Sequence, residues 1–124
     1  TWGPGDEIVV TKLDHDANVG PWSLAAKWSG ATLRKIDINR EDCTLDMNSV
    51  NELISDRTVL VAIGAASNLS GTINDVSSIV EIAQRFGAEV VVDAVHFAPH
   101  SLIDVKKIGC DFLLCSPYKF FGPH

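Results

Sequence analysis

The feature that most constrains this chain is a series of short, continuously apolar runs set between helix-type stretches. Residues 59–63 and Val90-Val91-Val92 are apolar throughout and have strand length. Ile8-Val9-Val10 and Phe112-Leu113-Leu114 read the same way, and residues 31–36 read as a further strand. Strands apolar on both faces belong inside a parallel sheet covered by helices on both sides. The expected fold class is therefore α/β, a mostly parallel sheet with helices on both faces.

The intervening stretches carry helix signals. Pro21 suits the first turn of a helix, where a missing N–H costs nothing. That helix would run through Trp22, Leu24, Ala25, Ala26 and Trp28 and stop at Gly30. Asp46 can cap a short helix through Val50, Leu53 and Ile54. Val76, Ile79, Val80 and Ala83 fall at i, i+3, i+4 and i+7; Phe86 extends that face, and Gly87 ends it. Val105–Ile108 is a short helix closed by Gly109.

Composition narrows the function classes. With 124 residues, 46% hydrophobic and 21% charged, the chain can bury a core and is not of disordered type. Sixteen acidic residues against ten basic ones leave no basic face for a nucleic acid. No apolar run is long enough to cross a bilayer. Three scattered cysteines form neither a disulfide framework nor a CxxC zinc pair, and a reducing cytoplasm is the expected compartment. Cys110 and Cys115 flank a strand and are expected as buried hydrophobes. The acidic neighbours of Cys43 disfavour a thiolate. A start at Thr1 and an end just after an aromatic, lysine-bearing loop read as cut ends.

In parallel sheets, ligands gather at the carboxyl ends of the strands. His15, Asn68, Asp93, His96, Ser116 and Lys119 all fall there. Lys119, beside Tyr118, Phe120 and Phe121, would sit in a partly desolvated setting that favours the nucleophilic amine, unless it is an ordinary surface lysine. Asp93 at a strand end either pairs with a protonated ring nitrogen or caps the following turn. His15 could stack on a planar ligand or bond its acidic neighbours. Asn68 could serve a ligand or only its turn. Ser116 could donate to a phosphate or simply end a strand. His96 and His100 are four apart, but Pro99 lies between them, so no metal site is expected.

The order and wording of these segments are together specific. Val91-Val92-Asp93-Ala94-Val95-His96-Phe97, followed by Leu114-Cys115-Ser116-Pro117-Tyr118-Lys119-Phe120-Phe121-Gly122, resembles the core of class V aminotransferases, the fold type I pyridoxal-phosphate enzymes that include cysteine desulfurases. Asp14-His15-Asp16-Ala17-Asn18 is similar to the family's Glu-His-x-Ala-Asn segment, and Ser67-Asn68-Leu69-Ser70-Gly71-Thr72 to its Ser-Asn-x-x-Gly-Thr turn. The resemblance implies that Lys119 forms a Schiff base with pyridoxal 5'-phosphate. It implies that Asp93 pairs with the pyridine nitrogen and His15 stacks on the ring. Asn68 and His96 would reach the ring hydroxyl, and Ser116 would bind the phosphate. It further implies an amino-acid substrate, a homodimer, and residues 1–124 as the central segment of a larger cofactor domain.

The chain departs from desulfurases at two places. His96 stands where they usually have Gln, and Tyr118 stands where they have the His before the lysine. Tyr118 could still bond a phosphate. None of the three cysteines matches the desulfurase nucleophile. Two readings follow: a pyridoxal-phosphate enzyme, or a catalytically inert piece that serves only as a structural or weak cofactor-binding module. A nucleotide-binding domain is disfavoured, because neither GxGxxG nor a P-loop is present.

Overall fold

A computed structural model describes all residues, Thr1–His124. Five strands form one sheet in the order β2-β1-β3-β4-β5. They are β1 (Glu7–Thr11), β2 (Thr32–Ile36), β3 (Thr58–Gly64), β4 (Glu89–Asp93) and β5 (Phe112–Leu114), and every pairing is parallel. Four helices connect them: α1 (Gly20–Ser29), α2 (Met47–Leu53), α3 (Val76–Arg85) and α4 (Val105–Ile108). The expected α/β sheet with helices on both faces is what forms.

The two-residue period of the strands divides the core into two layers. Ile8, Val10, Leu60, Ala62 and Val91 point to one face and pack with Ala26 of α1. Val9, Val61, Ile63, Val90 and Val92 point to the other and pack with Val50 of α2 and Ile79, Val80 and Ala83 of α3. This is why the strands read as apolar throughout.

Local chemistry fixes the helix ends. Asp46 accepts from the Asn48 N–H, Asp75 from Ser78 and Asp104 from Lys107, each supplying a donor's missing partner at a helix start. Gly30 closes α1 in the left-handed region at φ 82°, which a side chain would disfavour. Phe86 does not extend the apolar face of α3. The helix ends at Arg85, and Phe86 turns outward as its C-cap, about half exposed.

Strand order places the site. The chain moves from β1 outward to β2, then returns across β1 to β3. The carboxyl ends of β1 and β3 therefore bound the point where the connections diverge, the crevice that α/β sheets use for ligands. At the opposite edge, the buried Glu7 carboxylate is held by Arg34 at 3.3 Å and Arg57 at 3.2 Å, an ion-pair cluster far from that crevice. No helix is long and apolar enough to cross a membrane.

Candidate active site at the carboxyl edge of the sheet

His15 follows β1 and caps a single 3-10 turn, Asp16–Asn18. Its Nδ1 accepts the Ala17 N–H at 3.0 Å, so the ring is anchored through its own turn and not by its acidic neighbours. That bond places the neutral ring's proton on Nε2. The ring faces His96, with centroids 6.4 Å apart and planes 40° apart.

Asp93 closes β4. One carboxylate oxygen, Oδ1, accepts the Val95 N–H at 2.9 Å. Its other oxygen stays free of protein donors. The two readings of Asp93 are therefore compatible: one oxygen caps the turn while the other can meet a ligand. In the loop after β3, Ser67 does the turn's work, with its Oγ accepting from Leu69 and Ser70. The Asn68 carboxamide is left exposed and unengaged. Asn68, His96, Phe97 and His100 line a common cavity of about 540 Å³.

Ser116, Tyr118 and Lys119 come from the loop after β5. Ser116 precedes the 3-10 turn Pro117–Lys119; its carbonyl accepts the Lys119 N–H at 2.9 Å, but its hydroxyl makes no cap bond and is free. Tyr118 stacks on His124, with centroids 5.3 Å and planes 22° apart, and Lys119 Nζ lies 5.8 Å from the Tyr118 ring centre. Two expectations change here. Lys119 is exposed rather than desolvated among aromatics, because Tyr118 is half exposed and Phe121 wholly so. Cys115 is likewise exposed and Cys110 only partly buried; β5 is an edge strand with one neighbour, so its flanks lack cover.

Electrostatics tie these groups together. His96 is held below the ordinary histidine range, first by partial burial and then by the Lys119 ammonium, with His15 and His100 adding to the push and Asp93 opposing it. The groups on β1, β4 and β5 thus act on one imidazole. One residue that the sequence signals did not single out also belongs here. Asp14 accepts the Gly64 N–H at 2.6 Å and the Thr11 N–H at 3.3 Å. Burial pushes its carboxyl up to about 6, although both of those donors, with the Thr11 side chain, pull it down. Its signals in the sequence were its place between a strand end and His15 and an acidic side chain where the Glu-His-x-Ala-Asn segment has its Glu.

The donor set fits a planar cationic heterocycle with an aldehyde and an anionic arm. A free carboxylate oxygen of Asp93 would face a ring N–H⁺, and the His15 ring offers an aromatic wall. His96 and Asn68 supply polar groups for a ring oxygen, Lys119 supplies an amine, and Ser116 supplies a hydroxyl at the anionic end.

The family described as aminotransferase class-V matches the chain over residues 1–124. Among curated proteins, a probable cysteine desulfurase of Halalkalibacterium halodurans is 46% identical over 121 residues, covering 98% of this chain and 30% of its own length. An aminotransferase-like protein of Gibberella zeae is 40% identical, covering 98% of this chain and 31% of its own. Among solved structures, the cysteine desulfurase CsdA of Escherichia coli superposes with a TM-score of 0.92 at 34% identity, over 98% of this chain and 30% of that one. The chain thus spans about a third of the length of the relatives it matches.

Proposed function

The chain belongs to the class V aminotransferase family, and from that premise we propose that residues 1–124 form the central part of the cofactor domain of a pyridoxal-phosphate enzyme acting on an amino acid. The observation that carries this reading is the meeting of His15, from the end of β1, with His96, ring centroids 6.4 Å apart, beside Asp93 at the end of β4, which has one carboxylate oxygen engaged by the Val95 N–H and the other free. A buried-core role would need none of them at one edge.

When bound, pyridoxal 5'-phosphate supplies an aldehyde that condenses with amines and a protonated ring that accepts electrons from the substrate's α-carbon. The chain's own residues do the rest. Asp93 presents its free oxygen to the ring nitrogen and keeps the proton there. His15 covers one ring face. Asn68 and His96 orient the ring oxygen, with His96 in its neutral form at neutral pH. Ser116 donates to the phosphate, and Tyr118 can add its phenol. Lys119 would supply the amine that meets the cofactor's aldehyde, and its free amine could move a proton at the substrate's α-carbon.

These steps serve transamination, desulfuration, elimination and epimerisation alike. The relatives named as cysteine desulfurases make cysteine the substrate to try first. The whole protein is proposed as a homodimer working in a reducing cytoplasm, in keeping with three free thiols.

Treatment with pyridoxal phosphate and borohydride, followed by digestion, tests this directly. A pyridoxyl adduct on Lys119 is expected in the whole protein, and none in Lys119→Ala. A whole protein without that adduct overturns the enzyme reading. An adduct in the whole protein but not in residues 1–124 alone assigns those residues the role of a structural piece when isolated.

A further inference from the structure

We propose that Asp14 is a positioning residue: its carboxylate latches the His15 loop to the end of β3 and so sets the gap between His15 and the β4 end in which a cofactor ring must lie. The inference rests on the functional reading above and concerns the same site.

The gap has two walls. One is His15, carried by the loop after β1. The other is Asp93 and His96, at and after the end of β4. These walls are not neighbours in the sheet, because β3 lies between β1 and β4. Asp14 supplies the link across it. Its Oδ1 takes the Gly64 N–H at 2.6 Å, joining residues fifty apart in sequence. Gly64 is the register partner of Asp93 on β4. The next amide, Ala65 N–H, donates to the Asp93 carbonyl at 2.8 Å. The connection from His15 to Asp93 thus runs through one carboxylate and the last residues of β3.

Gly64 is built for this contact. A Cβ there would lie 2.6 Å from Asp14 Oδ1, so any side chain would displace the carboxylate. Its carbonyl is also taken, by Asn74 Nδ2 at 2.8 Å. Both polar groups of Gly64 are therefore fixed, one towards His15 and one towards the loop before α3. Asp14 also holds the Thr11 N–H, which ties the latch to the end of its own strand.

The environment of the latch makes it responsive. Burial raises the Asp14 carboxyl to about 6, and Asp93 adds repulsion from the β4 side. Lys12, Asp16 and Lys35 surround its opening on the β1–β2 side, and His15 adjoins it. Protonation removes the charge that strengthens both N–H bonds.

The test uses the whole protein with Asp14→Ala, Asp14→Asn and Gly64→Ala. Pyridoxal phosphate affinity and its visible circular dichroism when bound are read beside the melting temperature of the cofactor-free protein. Asp14→Ala and Gly64→Ala are each expected to weaken affinity about tenfold and change the dichroic band, the loss of one charge-assisted bond. The double variant is expected to be no worse than the weaker single one, because both break one contact. Asp14→Asn keeps a carbonyl for Gly64, folds, and loses less. Cofactor-free melting temperatures should stay within a few degrees. Affinity and dichroism unchanged in the variants, or affinity falling only in step with melting temperature, overturns the latch while leaving the enzyme reading intact. A wild-type protein that takes up no cofactor overturns the enzyme reading, and the latch with it.

Discussion

His15 and His96 face each other across the carboxyl edge of the sheet, with ring centroids 6.4 Å apart and planes 40° apart. They reach that position from different strands, β1 and β4, which do not touch. His15 is exposed and bonded to its own turn, whereas His96 is partly buried and feels Lys119. The two rings therefore differ in environment although they share a site.

That difference predicts a pH dependence for His96. Its folded pKa lies below the unfolded value of 6.5, so the unfolded chain binds the proton more readily. Stability therefore rises with pH up to about 6.5 and levels above it. His96→Gln removes this component. The melting-temperature difference between wild type and His96→Gln should shift against wild type as pH falls from 7 to 5. A difference that stays constant over that range would falsify the assignment.

Asp93→Asn tests the carboxylate at the end of β4. An amide can still accept the Val95 N–H, so the turn should survive. It cannot hold a proton on a ring nitrogen by charge. Adduct formation on Lys119 should persist, while turnover of the whole protein should fall about 10²–10³-fold, the usual cost of removing one preorganised electrostatic group. Single-turnover kinetics read this, and wild-type turnover would exclude Asp93 from that role.

Much of this fold was legible because its signals were local. Val90-Val91-Val92 could be read as a buried strand since a parallel sheet covered on both faces needs no polar alternation. Asp46 and Gly30 marked helix ends by their own chemistry. Phe86 misled because periodicity does not know where a helix stops. For Lys119 the sequence left a desolvated and a surface setting open, and the surface one forms, because aromatic neighbours in sequence need not surround a side chain on an edge strand's loop; Phe121 points wholly to solvent. Asp14 stood in a recognisable segment, but its bond was not legible because its partner, Gly64, is fifty residues away and only the sheet order brings them together.

Asp14 should leave its own mark on acid stability, opposite in sign to His96. Its folded pKa of about 6 exceeds the unfolded 3.8, so the folded state binds the proton more readily between those values. Stability from this group is present below pH 3.8, declines as pH rises to about 6, and is level beyond. The full swing corresponds to up to about 3 kcal/mol by linkage, less where solvent reaches the group. Asp14→Asn abolishes it. Urea midpoints of wild type and Asp14→Asn at pH 4.5 and 7 should therefore diverge, with the variant relatively more stable at pH 7. Equal differences at both pH values would show that the carboxyl titrates as an ordinary exposed one.

The last prediction concerns the α1 face of the sheet. On that side α1, with Trp2 and Trp22, covers the sheet as far as Val91 of β4, but β5 is left open. Phe112 and Leu114 are about half exposed and line an apolar hollow of about 310 Å³ with Trp2, Trp22, Leu60 and Val91. β5 pairs only with β4, so its outer edge also presents unpaired backbone groups. An apolar face beside an open edge favours self-association. Residues 1–124 in isolation should therefore form oligomers at micromolar concentration. Phe112→Lys places a charge on that edge and removes apolar surface. Because Phe112 is already half exposed, the cost to folding should be only about 1 kcal/mol. Sedimentation velocity should show the variant shifted towards monomer with an unchanged circular dichroism spectrum. If the variant associates as strongly as wild type, the contact lies elsewhere, and the exposed Leu69 and Leu102 at the carboxyl edge become the surface to alter next.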